Sequence, residues 1–411
     1  MIKRVPVSAV SSSPIPAVLA KLGPLAPDDM ADLRVFLKVV PDPRSRRGRW
    51  YSLTSILLVC AAAAVSGART IDELAEWGAR ADAGLLATLG VRRHLLHWRH
   101  APSRSAIGRV LERLDADALD AAVGAWLAQR HAAARADVPG GRRVIAVDGK
   151  TLRGSARPGR PRRHLLSAVT HGRPVTLTQA EIGSKTNETR HFQPLLAPLD
   201  LEEDVVTFDA LHSVKANVAW LVETKKAHYV AVIKPNQPTV WAQLDSLAWH
   251  TVAIQHTASG KGHGRRESRS IKTLGIADNL GGIAFPHAKL AVRVHRRRKA
   301  TGRKESRETV YAVTSLDAHQ ATSAELASHL RGHWIVEAQH HIRDRTFAED
   351  ASTVHAGHAP RAMATLRNLA IGALKSLGAT NIAKTTRAIR DEPERALPIL
   401  GIFNNPDHHG T

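Results

Sequence analysis

A single cysteine, Cys60, among 411 residues excludes an internal disulfide and a cysteine zinc cluster, and its apolar neighbours make it a packing residue. Long hydrophobic runs are also missing. The longest, about residues 56 to 65, is alanine-rich and too short to span a bilayer, so it reads as a buried helix. No lipidation motif argues for membrane attachment. Lys3 and Arg4 are followed by three consecutive serines, Pro14 and Pro16, which interrupt any signal-peptide core; the expected location is the cytoplasm, in association with the nucleoid. No internal repeat marks a solenoid. Acidic residues are scarce beside basic ones, 37 against 58, which gives a formal charge of +21 and a pI near 10.8. Cations set along a phosphate backbone release condensed counterions, so this excess points to a polyanionic partner, with an anionic membrane as the less supported competitor. A hydrophobic content of 43% suffices for a substantial core, and the length for about two or three domains.

Residues 1–27 are rich in Ser, Pro and Ala and read as a flexible arm. From 28 to 135 the pattern is helical. Thr70-Ile-Asp-Glu73 has the form of a capping box, and Ile107, Val110, Leu111 and Leu114 recur at helical spacing. That spacing leaves Arg104, Arg109 and Arg113 on another face, which either contacts phosphate or is simply solvated. The character changes at Pro139-Gly-Gly141. Strands are predicted at 144–148, 164–171 and 174–182, a helix near 187–197, a strand at 204–209, a helix near 213–225 and a strand at 228–233. Gly172-Arg-Pro174 turns the second strand into the third. Three early strands followed by alternating helix and strand follow the order of a ribonuclease-H-like domain.

The alternation stops after Lys234-Pro-Asn-Gln-Pro238, and residues 240–321 read as a basic, β-rich insertion with strands near 290–295 and 309–315. Between those strands, Arg296, Arg297, Arg298 and Lys299 are expected in a polar turn that either follows a DNA backbone or only solubilises. Helix is predicted from 322 to about 378, with breaks around Gly357 and Pro360, and residues 391–411 form a tail without a motif. The expected fold class is α/β (α+β). Its catalytic domain comprises 140–239 and 322–378, interrupted by the insertion and preceded by a helical N-terminal domain suited to DNA binding.

Three acidic residues stand in segments that aim their carboxylates. Asp148 closes Val144-Ile-Ala-Val-Asp148, Asp209 closes Asp204-Val-Val-Thr-Phe-Asp209, and Glu337 lies in His333-Trp-Ile-Val-Glu337-Ala-Gln-His-His341 on a predicted helix. Two strand ends and one helix can meet at a single magnesium-sized pocket. Hard oxygen donors suit magnesium or manganese, and two such ions about 3.5–4 Å apart activate a water and disperse charge on the leaving oxygen of a phosphodiester. Asp148 suits the bridging position, with Asp209 and Glu337 each supporting one ion.

The segment Gly149-Lys150-Thr-Leu-Arg153-Gly154 lacks phosphate-loop glycine spacing but offers two cations on an expected flexible approach. His212 contacts the scissile phosphate, orients a ligand or caps the next helix. His333, His340 and His341 share the helical face of Glu337, which raises a zinc site as competitor; the His-Glu-x-x-His order is absent, and zinc would leave both aspartates without a role. Trp334 reads as a core aromatic ahead of a base-stacking platform.

These residues resemble the DDE-class insertion-sequence transposases of the ISAs type, the group that includes H-repeat-associated proteins. The resemblance rests on Ala146-Val-Asp148-Gly-Lys-Thr-Leu-Arg153-Gly, Asp209-Ala-Leu-His212, His263-Gly-Arg-Arg-Glu267-Ser-Arg269 and Arg331-Gly-His-Trp-Ile-Val-Glu337. It extends through His340-His341, Arg343-Asp344, Phe347-Ala-Glu349-Asp350 and Asn368-Leu-Ala-Ile-Gly372, and Pro41-Asp-Pro-Arg-Ser-Arg-Arg-Gly48 resembles the family's N-terminal segment. Roughly residues 30 to 378 are covered. The resemblance implies a ribonuclease-H-like core, a β-rich insertion before the glutamate helix, dependence on Mg2+ (or Mn2+), and Asp148, Asp209 and Glu337 as the metal-binding triad. Where relatives often carry tyrosine, arginine and lysine around this glutamate, this chain has Leu330, His333 and Asp344, with Arg343 or Arg345 as candidate replacements for the lysine.

The expected activity is cleavage of double-stranded DNA at element ends and strand transfer into target DNA, by a homodimer or higher oligomer that brings two ends together. DNA contacts are expected from Lys150, Arg153, His212, Arg265, Arg266, Arg296, Arg297, Arg298, Arg331, His333 and Arg343. The alternatives are a transposase remnant that binds DNA without cutting it, and a host metal-dependent nuclease that never joins strands.

Overall fold

Among the described residues, each of the first six helices begins at a short polar residue whose side-chain oxygen accepts one of the amides left unpaired at a helix start. In the computed structural model, Asp32 starts α1 (Leu33–Leu37), Ser52 α2 (Leu53–Val65), Thr70 α3 (Ile71–Arg80), Asp82 α4 (Ala83–Thr88) and Ser103 α5 (Arg104–Arg113), while Asp115 accepts from Ala118 N–H in α6 (Ala116–Ala133). At Thr70 the box is offset by one residue: Thr70 accepts from Glu73 N–H, and the Glu73 carboxylate reaches Arg69 N–H instead. The structure describes residues 31–47, 49–95, 98–133, 141–157, 159, 162–183, 188–209, 213–262, 264–276, 282–302 and 304–403. The arm at 1–27 and the last eight residues of the tail lie outside that set.

The chain divides into two units, one of residues 1–134 with 342–411 and the other of 135–341. The second is built on a nine-stranded sheet: β1 (Val144–Leu152), β2 (Arg163–Thr170), β3 (Thr176–Ile182), β4 (Val205–Phe208), β5 (His228–Ile233), β6 (His256–Gly262), β7 (Arg265–Gly275), β8 (Leu290–Ala300) and β9 (Ser306–Thr314). Their order is β3-β2-β1-β4-β5-β9-β8-β7-β6. The first three pair antiparallel, and β4 and β5 run parallel to β1. This is the ribonuclease-H-like arrangement that the element order predicted, extended by four antiparallel strands on the far side of β5.

The strands depart from expectation at two places. First, β1 continues four residues past Asp148, so Lys150 sits in a paired strand instead of a flexible approach. Second, Arg296 to Lys299 lie inside β8, each cross-strand from β7, because the β7, β8 and β9 ladders run further out than their apolar stretches. Helices α7 (Glu188–Leu196), α8 (Lys215–Glu223) and α9 (Pro238–Asp245) join the sheet strands, and Phe192 of α7 meets Phe208 of β4 edge-on at 5.4 Å. The continuous helix expected from 322 is broken at His333 and Trp334 into α10 (Ser323–Gly332) and α11 (Ile335–Arg345). A full capping box of Thr322 and Glu325 starts α10. Leu326 of α10 packs into a cluster with Val205, Val230, Ile271, Val292 and Ala312, which fixes α10 on one face of the sheet.

In the helical unit, α12 (Ala359–Ser376) packs against α2, α5 and α6, and Gly372 allows close approach, since a methyl group there would stand 2.7 Å from Leu127 Cδ2. Residues 342–376 belong to the unit that holds the N-terminal helices. The tail reading also gives way. Residues 393–395 form a 3-10 turn and α14 (Ala396–Ile399) follows α13 (Ile382–Asp391), with Ile399, Leu400 and Ile402 buried. Cys60 is fully buried in α2, and burial pushes its thiol up to about 12, as a packing residue requires. Among the described residues, no helix is long and apolar enough to cross a membrane.

Candidate active site

Strand register sets the first two carboxylates. The parallel pairing of β1 and β4 ends at Val147 opposite Phe208, so Asp148 and Asp209 are the next residues on neighbouring strands. Side chains alternate along a strand, and equivalent positions on parallel neighbours share a face. Asp148 stays within β1, where it pairs with Ser167 of β2, one residue beyond the last β1–β4 pair.

The third carboxylate comes from α11, which is pinned at two points. Val336 is buried against Ala146 and Val169, a contact of the size that stabilises by about 1.5–3 kcal/mol. One turn later the Gln339 amide donates to Thr176 Oγ1 at 2.6 Å in a buried hydrogen bond. With those two positions turned to the sheet, Glu337 faces a cleft of about 430 Å³ that Asp148 and Asp209 also line. Its inner wall is apolar, with Ile271, Val294, Val310, Leu330 and Val336, and cations Lys234, Arg269, Arg296 and Arg331 stand around it.

Lys234 Nζ is 3.6 Å from Asp209 Oδ2, and His340 Nδ1 is 4.0 Å from Asp148 Oδ2. Desolvation by the surrounding protein raises the Glu337 pKa above its ordinary value of 4.5, so this acid gives up its proton less readily than a fully hydrated one. Among the described residues, no group of three His, Cys, Asp or Glu side chains is close enough to hold a metal ion as placed. The trio shares one cleft without closing on a common point. As donors they are chemically uniform: three carboxylates, the hard oxygen set that magnesium and manganese take.

The predicted DNA contacts separate into groups. His333 and Arg331 line the cleft with the acids. Arg153 is exposed just beyond β1, while Lys150 is buried. Arg265 and Arg266 are exposed at the start of β7 and, with Lys261 and Lys299, line a depression of about 620 Å³ at the outer end of the sheet. Arg296 is held by Glu267 at 3.1 Å and faces Glu308 at 3.6 Å, and Arg297 pairs with Glu305 at 3.1 Å. Arg298 is half-buried on β8.

Arg343 does not reach a DNA-facing surface. It is 1% exposed, and its guanidinium donates twice to Glu349, at 2.9 Å each. His212 falls outside the described residues. Trp334, read as a core aromatic, is 53% exposed beside Glu337 because the helix break turns it outward.

Sequence reasoning missed the support beneath Asp148. A methyl group at Gly149 would collide with His164 Nε2 and lie 2.8 Å from Glu188 Oε1. His164 and Glu188 are both buried and 2.6 Å apart, and Thr151 Oγ1 is 2.8 Å from His164 Nδ1. The glycine after the aspartate is thus a packing requirement that the Asp148-Gly149 pair signalled. Lys234 was also missed as a site residue; its place just after β5, beside the end of β4, was the available signal.

Comparisons with known proteins bear on the family. The family described as "DDE_Tnp_1-associated" matches residues 35–127, and the family described as "Transposase DDE domain" matches residues 139–372, more than half of the chain. "Putative transposase YncI" of Escherichia coli O157:H7 is 26% identical over 364 residues, covering 83% of this chain and 86% of its own. "H repeat-associated putative transposase YhhI" of Escherichia coli K12 is 27% identical over 363 residues, covering 84% and 91%. A piggyBac transposase synaptic complex with hairpin DNA aligns over 94% of this chain and 80% of its own at 9% identity and a TM-score of 0.38, too low to bear on the fold, which rests on the strand order instead. With the acid-bearing strands and helix all inside the matched region, the chain belongs to the DDE-domain transposase family.

Proposed function

We propose that this protein is an active transposase that cuts DNA at the ends of a mobile element and joins the freed ends to target DNA. The observation that carries the reading is the meeting of Asp148, Asp209 and Glu337 at one cleft from three separate segments. The trio would hold magnesium or manganese, which when bound activates a water or hydroxyl nucleophile and stabilises charge on the leaving oxygen. Asp148 and Asp209, side by side on the sheet, supply two of the three donors from rigid strands, and Glu337 supplies the third from α11.

The reaction is a displacement at phosphorus in two stages. Water adds to the phosphate at the element end, the bond to the 3′ oxygen breaks, and that oxygen leaves as a hydroxyl. The hydroxyl then attacks a target phosphodiester, forming the new bond as one target strand breaks. Arg331 and Lys234 at the cleft would meet phosphate oxygens, and Lys261, Arg265, Arg266 and Lys299 would offer a second positive surface along the sheet extension. A dimer or higher oligomer on DNA follows from the need to process two ends together.

The test is incubation of the purified chain with a duplex carrying its element end, with magnesium or manganese. Nicking and joining are expected, with loss of both in Asp148→Asn. Salt-sensitive binding without product would identify a DNA-binding remnant, product without joining would identify a nuclease, and activity retained in Asp148→Asn would remove the acidic trio from the mechanism.

A further inference from the structure

Thr207 lies on β4 two residues before Asp209 and is 1% exposed. Its hydroxyl is within hydrogen-bond distance of three groups on three other segments. It donates to the Ile145 carbonyl of β1 at 3.4 Å, stands 3.0 Å from His171 Nε2 just past β2, and stands 3.2 Å from His333 Nδ1 at the end of α10. A hydroxyl has one proton to give and two lone pairs to fill. Donation to Ile145 with acceptance from both imidazoles uses that capacity completely.

His171 is fixed independently of this hydroxyl. Its backbone N–H donates to the Val144 carbonyl at 2.8 Å, and its ring lies where a side chain on Gly332 would have to go. Gly332 is the last residue of α10, so its missing side chain lets the buried ring rest against the turn that leads into the Glu337 helix. Burial, followed by the nearby His329 and His333, pushes the His171 pKa down to about 3. The ring is therefore neutral in the ordinary working range, with one N–H to give.

We infer that Thr207 is a positioning residue for the acidic site, its hydroxyl tying the strand of Asp209 to the strand of Asp148 and to the turn one helical step before Glu337. The inference rests on the metal-holding role proposed above for the trio. Thr207 touches no substrate. It acts by holding His333, and through it the start of α11, in register with the two strands.

The test compares Thr207→Val, which keeps the branched shape and loses the hydroxyl, with Thr207→Ser, which keeps the hydroxyl. Mn2+ binding is read by electron paramagnetic resonance on the DNA-free protein, and the half-saturating Mn2+ concentration is read in the cleavage assay. Thr207→Val is expected to weaken Mn2+ by about tenfold, as outer-shell changes do, and to raise the half-saturating concentration in step, while Thr207→Ser stays within about twofold. Unchanged Mn2+ affinity in folded Thr207→Val overturns the inference. Should that variant fail to fold, Gly332→Ala, which displaces the His171 ring, must weaken Mn2+ in the same direction, and unchanged affinity there overturns it equally. Asp148→Asn serves as the reference: if it binds Mn2+ like the parent, the proposed metal site itself fails, a result distinct from either outcome for Thr207.

Discussion

In the helical unit, Glu349 accepts from Arg343 at 2.9 Å through both its oxygens and from Arg367 at 3.0 Å, and all three residues are 2% exposed or less. Nearby, the buried Arg361 donates to Asp120 at 2.7 Å. In the sheet unit, three carboxylates from β1, the end of β4 and α11 line an open cleft, with the Lys234 ammonium 3.6 Å from Asp209 and the His340 ring 4.0 Å from Asp148. Charges removed from water must be matched at contact distance or the fold loses several kcal/mol. Charges gathered at a cleft open to solvent are screened by water and contribute little to stability. The first arrangement keeps helices in register, and the second gathers three carboxylates at the wall of one cleft.

The largest expected effect breaks the first side of this contrast. Glu349→Gln leaves two buried guanidinium groups without their carboxylate and is expected to lower unfolding free energy by about 3–5 kcal/mol, measured by urea denaturation. A loss below about 1 kcal/mol would show that water reaches the pair and that the two regions are less different than their geometry implies.

Glu337→Gln sharpens the other side. Unfolding free energy is expected to change by no more than about 0.5 kcal/mol, while DNA cleavage is lost. Acid should act on Glu337 with opposite signs in two assays. Desolvation raises its folded pKa above 4.5, so between 4.5 and that higher value the folded state holds more protons than the unfolded one. This group's contribution to stability therefore improves as pH falls through that window, whereas cleavage declines because the neutral acid is a poor metal donor. Glu337→Gln should remove the stability trend, which denaturation at several pH values measures.

The smallest effect concerns the sheet extension. Arg265→Ala and Arg266→Ala should each lower the slope of log affinity against log salt by about one unit for a duplex, with little change in unfolding. Arg297→Ala, whose guanidinium already serves Glu305, should change the slope less. Equal slopes for all three variants would place the DNA elsewhere.

The first five strands of the sheet were legible because the central ones are short apolar runs ending in an acid, and Val144 to Val147 and Val205 to Phe208 are buried along that length or nearly so. The extension was not. Its strands β6 and β7 are mostly polar and basic, and their pairing is carried by main-chain hydrogen bonds that any residue except proline can make. Arg296 to Lys299 therefore looked like a turn. Arg343 misled in the opposite way: a charged residue on a polar helix reads as surface, and its burial depends on Glu349 and Arg367, the latter far away in sequence. Asp148, Asp209 and Glu337 were readable as a set, but the hydroxyl of Thr207 was not, since a threonine within a β-branched strand looks like any other.

The parallel register that sets Asp148 beside Asp209 makes their separation a property of the main chain, unaffected by most changes in neighbouring side chains. A frame slip is different: adding or deleting one residue within 205–209 would turn the second aspartate to the opposite face of the sheet. Drift by substitution can thus remodel much of this protein, while length variation should be tolerated in its connecting loops and purged from that five-residue stretch.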